Sequence, residues 1–159
     1  MSESTEVRVT LQLEEGYAFR VHFDGTDLED LHTDEPAPLG AGSGPGPTRM
    51  LLVAIANCLS ASLLFAMRKF KNSPASLHTV ITARSERNAD GRWRIPKAEV
   101  ELQLAEGSGS HEHLERILAQ FESYCIVTQS VREGIEVAVT IKDADGRVLK
   151  GDKSFEGGS

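Results

Sequence analysis

The sequence predicts an α+β fold in which antiparallel β-hairpins surround a long central helix and a second, shorter helix. Residues 50–67 form an apolar run without a charged side chain, residues 111–125 carry an amphipathic helical pattern, and the segments outside them alternate between apolar and polar residues. Because tight turns join the alternating segments, neighbouring strands are expected to be antiparallel. We expect the 159 residues to form one domain, with an ordered core at about 7–150 and a polar tail at 151–159.

A β-hairpin opens the chain. Residues 7–13 and 17–23 each place apolar side chains at every second position, which is typical of strands with one buried face. The turn Glu14-Glu15-Gly16 connects them. A second turn at 24–27 then leads to a brief third strand at 28–32.

The central helix follows a loop at 33–47 that holds four prolines and four glycines. Alanine, leucine and methionine dominate the helix, and Pro47 suits its first turn, where the missing N–H costs nothing. Basic residues near its end complement the helix dipole, and Asn72-Ser73-Pro74 stops it. A run this apolar is expected to be buried on most sides.

A membrane span is the rival interpretation of this run. Its eighteen residues approach the roughly 20 that a bilayer needs. Asn57, Ser60 and Ser62 interrupt it, and the sequence holds no second run of this kind. We therefore favour a core helix and expect no membrane partner. Membrane anchoring would instead require detergent during purification.

The C-terminal half continues with a hairpin, a helix and a second hairpin. A helix at 111–125 is indicated because Leu114, Leu118, Phe121 and Cys125 share one apolar stripe. The other predicted elements are a strand at 77–87, a turn at 88–91, a strand at 92–104 that Pro96 interrupts, a strand at 135–141, a turn at 143–146 and a strand starting at 147.

Composition limits the classes of function. The formal net charge of −7 argues against nucleic acid as a partner, since binding phosphates requires clustered lysine and arginine. Two cysteines are too few for a disulfide framework. The first ten residues are polar, so we expect no signal peptide and a cytoplasmic location.

Cys58 and Cys125 are the residues with the clearest chemical potential. They lie 67 positions apart, each on the inner face of its own predicted helix. One interpretation is a redox pair, in which one thiolate attacks a peroxide oxygen, becomes a sulfenic acid and condenses with the other thiol to a disulfide. The alternative is that both are small buried apolar side chains. Their spacing leaves both interpretations open.

A peroxidatic thiolate must be charged near neutral pH, and mid-helix Cys58 is too far from the helix N-terminus for the dipole to help. It would need a nearby cation, for which Arg20, Arg49 and Arg132 are the candidates. Arg49 lies nine residues before Cys58, roughly 13 Å along the axis, so it would act at the helix mouth or on a neighbouring subunit. Arg20 lies on the polar face of a strand, where a solvated arginine is the more common outcome.

Other types of site are not indicated. His111 and His113 flank one glutamate, but positions two apart do not share a helix face, so we expect no metal. The glycine-rich segment 40–46 lacks the lysine of a phosphate-binding loop. No Ser-His-Asp constellation stands out, and we expect no cofactor.

Two segments resemble the OsmC/Ohr family. The first combines Asp34-Glu-Pro-Ala-Pro-Leu-Gly40 and Gly46-Pro47 with the leucine-rich helix carrying Ala56-Asn-Cys58-Leu-Ser-Ala-Ser62. The second is Phe121-Glu-Ser-Tyr-Cys125-Ile-Val-Thr-Gln-Ser-Val, where the family's second cysteine closes a helix. The order of elements also fits, so the resemblance covers about 7–150.

The resemblance implies an intertwined homodimer with two sites at the subunit interface and the long helices packed centrally. It implies thiol-dependent reduction of organic hydroperoxides in the response to oxidative stress. Cys58 would be the peroxidatic residue and Cys125 the resolving one. A dithiol would supply electrons, with no metal, haem or flavin.

One departure from the family pattern leaves an alternative open. Peroxidase members carry a glutamate at the helix mouth that pairs with an activating arginine, whereas Pro47-Thr48-Arg49 here contains no acid. Arg20 is the nearest candidate for that arginine, and Arg49 is the second. The alternative is an OsmC-like dimer without peroxidase activity that binds a small ligand at its interface, with both cysteines inert.

Overall fold

The computed structural model describes residues 3–150, so the predicted tail at 151–159 lies outside the described residues. Two compact units divide the chain, one ending at Ala54 and the other beginning at Ile55. Within the described residues the helices are α1 Pro47–Lys69, α2 Leu114–Gln120 and α3 Ile126–Glu133. The strands are β1 Val9–Glu15, β2 Ala18–Phe23, β3 Leu31–Thr33, β4 Leu77–Ala83, β5 Glu86–Arg87, β6 Trp93–Arg94, β7 Ala98–Leu104, β8 Ile141–Lys142 and β9 Val148–Lys150. The predicted α+β class is confirmed, and the paired strands are antiparallel.

The first unit contains the sheet β1-β2-β3. Leu11 pairs with Val21, and Arg20 pairs with His32, so the N-terminal hairpin is confirmed and the third strand lies slightly later than predicted. Every residue of β1 is exposed in the single chain, including its apolar ones. The predicted buried face of β1 therefore has no covering layer within this unit.

Helix α1 begins at the predicted Pro47 and ends with Arg68 and Lys69 in its last turn. The sequence predicted that α1 would be buried on most sides, and this is wrong for the single chain. Only 33% of the apolar window of the helix is buried. Its buried residues recur at helical spacing along one side: Ile55, Leu59, Ser62, Leu63, Ala66 and Met67. By length and composition α1 would also suffice to cross a bilayer, but one such helix is weak evidence because the core helix of a globular protein passes the same test.

The predicted central hairpin is confirmed in the second unit. Strands β4 and β7 pair from Leu77 with Leu104 to Ala83 with Ala98, and β5 and β6 extend the same hairpin. Pro96 falls between β6 and β7, where proline cannot interrupt a ladder of hydrogen bonds.

Two predicted elements in the second unit are wrong in extent. The helix expected at 111–125 breaks into α2, a 3₁₀ turn at Phe121–Tyr124 and a new helix, α3, that starts after Cys125. The strand expected at 135–141 is reduced to Ile141–Lys142, which pairs with β9. The apolar side chains keep helical spacing across 111–125 although the backbone leaves the α-helix there. Hydrophobic periodicity therefore could not reveal the break.

Two apolar clusters form the core of the second unit. One joins α1 and α2 through Leu63, Ala66, Met67 and Ile117. The other contains Ile55, Leu59 and Cys125, with Val100 and Val127 packed against it. The second cluster lies where α1 meets the start of α3, and it contains the thiol chemistry.

Candidate active site

The fold brings Cys58 and Cys125 into contact. Cys125 is fully buried in the cluster with Ile55 and Leu59, and the half-buried Cys58 packs against the same cluster. Their side chains are hydrogen-bonded to each other, and both are free thiols. The two cysteines are 67 positions apart in the sequence. In the structure their sulfurs lie close enough to interact directly.

Cys125 caps the N-terminus of α3. Its backbone is extended, with φ −87° and ψ 93°, and its Sγ accepts a hydrogen bond from the backbone N–H of Thr128 at 3.4 Å. The Oγ1 of Thr128 lies 3.0 Å from the same sulfur. An N-cap position places a side chain against unpaired amides at the positive end of the helix dipole, which favours a negative charge there.

Cys58 is also held by the start of α3. The backbone amide of Val127 donates a hydrogen bond to it, and the Ser62 side chain bonds to both thiols. The consecutive amides of Val127 and Thr128 therefore each meet one sulfur. The family resemblance implied a functional pair of Cys58 and Cys125, but the sequence did not predict these amides, because it placed both cysteines on helix faces rather than one of them at a helix start.

The two thiols have opposite electrostatic tendencies. Burial and the hydrogen bond with Cys125 raise the pKa of Cys58. Burial also disfavours the Cys125 thiolate, but the hydrogen bonds from Cys58 and Thr128 outweigh it and lower the pKa of Cys125. When the pair holds one proton, these interactions favour the negative charge on Cys125 over Cys58.

The three candidate arginines lie in different settings. Arg20 on β2 is ion-paired through Nε with Oε1 of Glu14 at 3.0 Å. Arg49 is exposed in the first turn of α1, and Arg132 pairs with Glu122 at 3.2 Å. The ion pair between Arg20 and Glu14 was not predicted. The family pattern places the partner glutamate of the activating arginine at the start of the long helix instead.

No metal-binding cluster of three or more histidine, cysteine, aspartate or glutamate side chains occurs among residues 3–150. His111 is instead buried beside Glu106, with Nε2 3.5 Å from Oε2 of the carboxylate. His113 packs against the ring of Phe70.

A second polar constellation, which the sequence did not reveal, lies in the first unit. Ser43 Oγ is 2.7 Å from His32 Nε2, and His32 Nδ1 is 2.9 Å from Glu14 Oε2. Arg20 and His32 are cross-strand partners, so their side chains lie on the same face of the sheet. Ser43 reaches His32 only because the glycine-rich loop after β3 folds back toward that face. Periodicity carries no signal for the path of such a loop.

Comparison with known proteins identifies the relatives of this chain. A family model described as OsmC-like protein matches residues 40–140. No protein of curated function matches the sequence.

Solved structures share the fold at low sequence identity. An OsmC-like protein of unknown function from Vibrio cholerae is 15% identical with a TM-score of 0.65, covering 80% of this chain and 94% of its own. An organic hydroperoxide resistance protein from Elizabethkingia anophelis is 16% identical with a TM-score of 0.64, covering 86% and 95%. A putative organic hydroperoxide resistance protein from Vibrio cholerae, with captopril bound in one of its active sites, is 20% identical with a TM-score of 0.64, covering 94% and 97%.

Proposed function

The chain belongs to the family of OsmC-like proteins, and on this basis we propose that it is a thiol-dependent peroxidase that reduces organic hydroperoxides. The observation that carries the proposal is the hydrogen bond between Cys58 and Cys125 at the start of α3. Several structural relatives are named for organic hydroperoxide resistance, which supports a role of this class.

Cys58 is the peroxidatic residue in this proposal and Cys125 the resolving residue. Cys58 is half-buried and can be reached, whereas Cys125 has no exposed surface. The hydrogen bonds that lower the pKa of Cys125 favour a negative charge on its sulfur, so in this proposal that sulfur accepts the proton of Cys58 as Cys58 attacks. The general base is therefore the neighbouring sulfur, within hydrogen-bond reach.

The proposed reaction balances without a cofactor. Cys58 sulfur attacks one peroxide oxygen, the O–O bond breaks, and the leaving alkoxide takes a proton from water to become an alcohol. Cys125 then displaces the hydroxyl group of the Cys58 sulfenic acid, and its own proton leaves with that group as water. A dithiol reductant restores both thiols and is itself oxidised to a disulfide.

We propose that Arg20 or Arg49 adds positive charge at Cys58 in an intertwined homodimer. Arg20 is the stronger candidate because Glu14 fixes its guanidinium by an ion pair at 3.0 Å. Substituting each arginine by glutamine shows which of the two activates Cys58. We expect Arg20→Gln to slow disulfide formation more than Arg49→Gln.

Mass spectrometry of the reduced protein before and after one equivalent of cumene hydroperoxide tests the proposal. We expect rapid loss of two hydrogens, mapped to a Cys58–Cys125 bond. In Cys125→Ala, dimedone should trap a sulfenic acid on Cys58 that forms more slowly than in the parent, because the proton acceptor is lost, whereas in Cys58→Ala no rapid oxidation should occur. Two intact thiols in the treated parent protein would contradict the proposal.

A second candidate function is binding of a small apolar ligand without turnover. An apolar cavity of about 380 Å³ in the first unit favours it, lined by Leu11, Tyr17, Phe19, Thr33, Asp34, Glu35, Pro47 and Met50. Cavities of this size hold small organic molecules. Binding of anilinonaphthalene sulfonate that persists in a Cys58→Ala/Cys125→Ala variant, with no peroxidase turnover in the parent, would favour this function.

A further inference from the structure

Outside the thiol pair, a line of hydrogen-bonded polar side chains crosses the first unit. It runs from Asp34 through Ser43 and His32 to Glu14. Ser43 Oγ lies 2.7 Å from His32 Nε2, and His32 Nδ1 lies 2.9 Å from Glu14 Oε2. These are the contacts of a nucleophile with a general base, and of that base with the carboxylate that orients it.

The hydrogen-bond partners fix the tautomer of neutral His32. A carboxylate only accepts, so Nδ1 must carry the hydrogen that is donated to Glu14. Nε2 is then left as an acceptor, and the single hydrogen of Ser43 Oγ can be donated either to Nε2 or to Asp34 Oδ2, 2.9 Å away. The hydrogen bond from His32 and the contact with Arg20 lower the pKa of Glu14, which keeps this carboxylate charged and able to hold the ring.

The loop that carries Ser43 is closely fitted to its position. Ser43 lies between Gly42, which has φ +67°, and Gly44, where a Cβ atom would stand 2.5 Å from His32 O. Buried Asp34 accepts hydrogen bonds from the backbone amides of Ala41 and Ser43, both at 3.1 Å. The serine is therefore held against His32 by backbone contacts that a residue with a side chain at position 44 would disrupt.

We propose that Ser43, His32 and Glu14 form a second reactive site, at which Ser43 accepts the acyl group of a small carboxylic ester. Ser43 Oγ attacks the ester carbonyl and loses its proton to His32 Nε2. His32 returns that proton to the departing alcohol, leaving an acyl-serine. Water then attacks the acyl-serine with the same base, which releases the acid and restores the serine.

The surroundings of Ser43 indicate the class of ester. A cavity of about 430 Å³ adjoins it, and its lining includes the carboxylates of Glu14, Glu15 and Asp34 and the side chains of Tyr17 and Leu39. Its carboxylates disfavour anionic substrates, while Tyr17 and Leu39 offer apolar surface. The site therefore fits a short neutral or cationic ester.

Asp34 sets a limit on the rate at this site. The amides of Ala41 and Ser43 are committed to its carboxylate, so neither can stabilise the oxyanion of the tetrahedral intermediate. One such donor is worth about 10²–10³-fold in rate. Stoichiometric acylation of Ser43 is therefore the expected signal, rather than rapid turnover.

A competing arrangement of protons makes the same contacts inert. Ser43 Oγ lies 2.9 Å from Asp34 Oδ2 as well as near His32. If His32 carries two protons, it donates to both Glu14 and Ser43, and Ser43 donates to Asp34. The hydroxyl is then a hydrogen-bond donor to a carboxylate and reacts with no ester. Acylation distinguishes the two arrangements.

The test is acylation of the full chain with p-nitrophenyl acetate, followed by peptide mass mapping. We expect one acetyl group on Ser43, none in Ser43→Ala, and a loss of about 10²–10⁴-fold in the acylation rate in His32→Gln. Ser85→Ala and His78→Gln, exposed residues of the other unit, are the matched controls and should react as the parent does. The anionic p-nitrophenyl hemisuccinate should react more slowly than the acetate.

Glu14→Gln tests the orienting carboxylate. Acylation should slow by less than in His32→Gln, whereas a merely structural role would lower the unfolding midpoint without changing the acylation rate of the folded chain. Because cysteine thiols also react with this ester, the experiment is repeated in a Cys58→Ala/Cys125→Ala background. Peptide mapping of the parent decides the matter if that variant fails to fold.

An unmodified Ser43 in the folded parent would overturn the proposal, as would acylation of Ser43 that His32→Gln leaves unchanged. Neither result affects the proposed peroxidase, since this site uses no thiol and hydroperoxide oxidation is measured on the cysteines.

Discussion

Thr128 contacts the sulfur of Cys125 twice, with its Oγ1 at 3.0 Å and its backbone N–H at 3.4 Å. Both contacts come from the first turn of α3, the eight-residue helix that Cys125 caps. The charge of the thiol pair is therefore set by local backbone geometry as well as by any cation that approaches it.

The first prediction concerns the hydroxyl of Thr128. Thr128→Val keeps the amide and the side-chain shape but removes one partner of Cys125, so the pKa of Cys125 should rise. In an ultraviolet titration of thiolate absorbance, the first proton of the pair should leave at higher pH than in the parent. The free energy of unfolding should fall by about 1 kcal/mol.

Thr128→Ser is the matched control, because it retains the hydroxyl and should titrate close to the parent. An unchanged titration in Thr128→Val would mean that the backbone amide alone sets the charge on Cys125.

The second prediction concerns the accessibility of the two thiols. Cys125 is 0% exposed whereas Cys58 is only partly buried, so N-ethylmaleimide should label Cys58 first. Cys125 must wait for local opening of the structure, and we expect its labelling to be slower by about tenfold or more. Peptide mapping over a time course measures both rates.

Labelling both cysteines at one rate in the folded protein would contradict this order and the assignment of Cys58 as the residue that meets peroxide. Denatured protein provides the control, since both thiols should then react alike.

The third prediction concerns the cluster that joins α1 and α2. Ile117 is 0% exposed and packs with Met67, so Ile117→Ala removes buried apolar contacts and leaves a cavity. The free energy of unfolding in urea should fall by about 2–5 kcal/mol. The neighbouring Leu118 is 51% exposed. Leu118→Ala should therefore change the free energy of unfolding by about 0.5 kcal/mol at most.

A comparable loss in both alanine variants would show that α2 buries Leu118 as well, for instance against a second copy of the chain. Measuring both at several protein concentrations separates this case from folding of a single chain.

Much of the fold was readable from the sequence, because its strongest signals are local. Pro47 and the basic residues near 68–71 set the ends of α1, and alternation with turn residues gave the hairpins. The break before Cys125 was not readable, since Leu114, Leu118, Phe121 and Cys125 keep helical spacing across it. A short cap between a side chain and nearby amides competes with the helix there without changing the apolar pattern.

The candidate site divides in the same way. A functional pair of Cys58 and Cys125 was implied by the family resemblance, while the two core-facing positions left it open. The amides of Val127 and Thr128 were not predicted, because a backbone group has no sequence signature. Ser43 and His32 were also missed, since their contact depends on the path of a loop rather than on a periodic element.

The fourth prediction concerns assembly. Cys58 and Phe65 are spaced by seven, so they share one side of α1. Phe65 is 55% exposed, which leaves an apolar side chain on the same side of α1 as the half-buried thiol. We expect a homodimer of twice 17.3 kDa in analytical ultracentrifugation. Phe65→Glu should shift it toward monomer.

Arg92→Glu, a charge change at an exposed turn position, is the control and should leave the mass unchanged. A monomeric parent protein would contradict the dimer, and the apolar surface of α1 would then require another partner.

The fifth prediction concerns acid sensitivity of the loop at 33–47. Hydrogen bonds from Ser43 and Ala41 hold the pKa of Asp34 below its ordinary value of 3.8. The charged form is thus favoured by folding, so this stabilisation is fully present above the ordinary value and is lost as the pH falls through the folded value. Asp34→Asn cannot accept all of these bonds and should unfold at a lower temperature than the parent at neutral pH.

The difference in midpoint between the parent and Asp34→Asn should shrink as the pH is lowered below about 3.8, because the parent then loses the same interaction. Glu14 and Glu99 also have lowered pKa values, and their contributions cancel when the two proteins are compared at each pH. Asp27→Asn, at an exposed turn, should follow the parent throughout. A difference that stays constant from neutral to acid pH would mean that the shape of the side chain, rather than its charge, organises the loop.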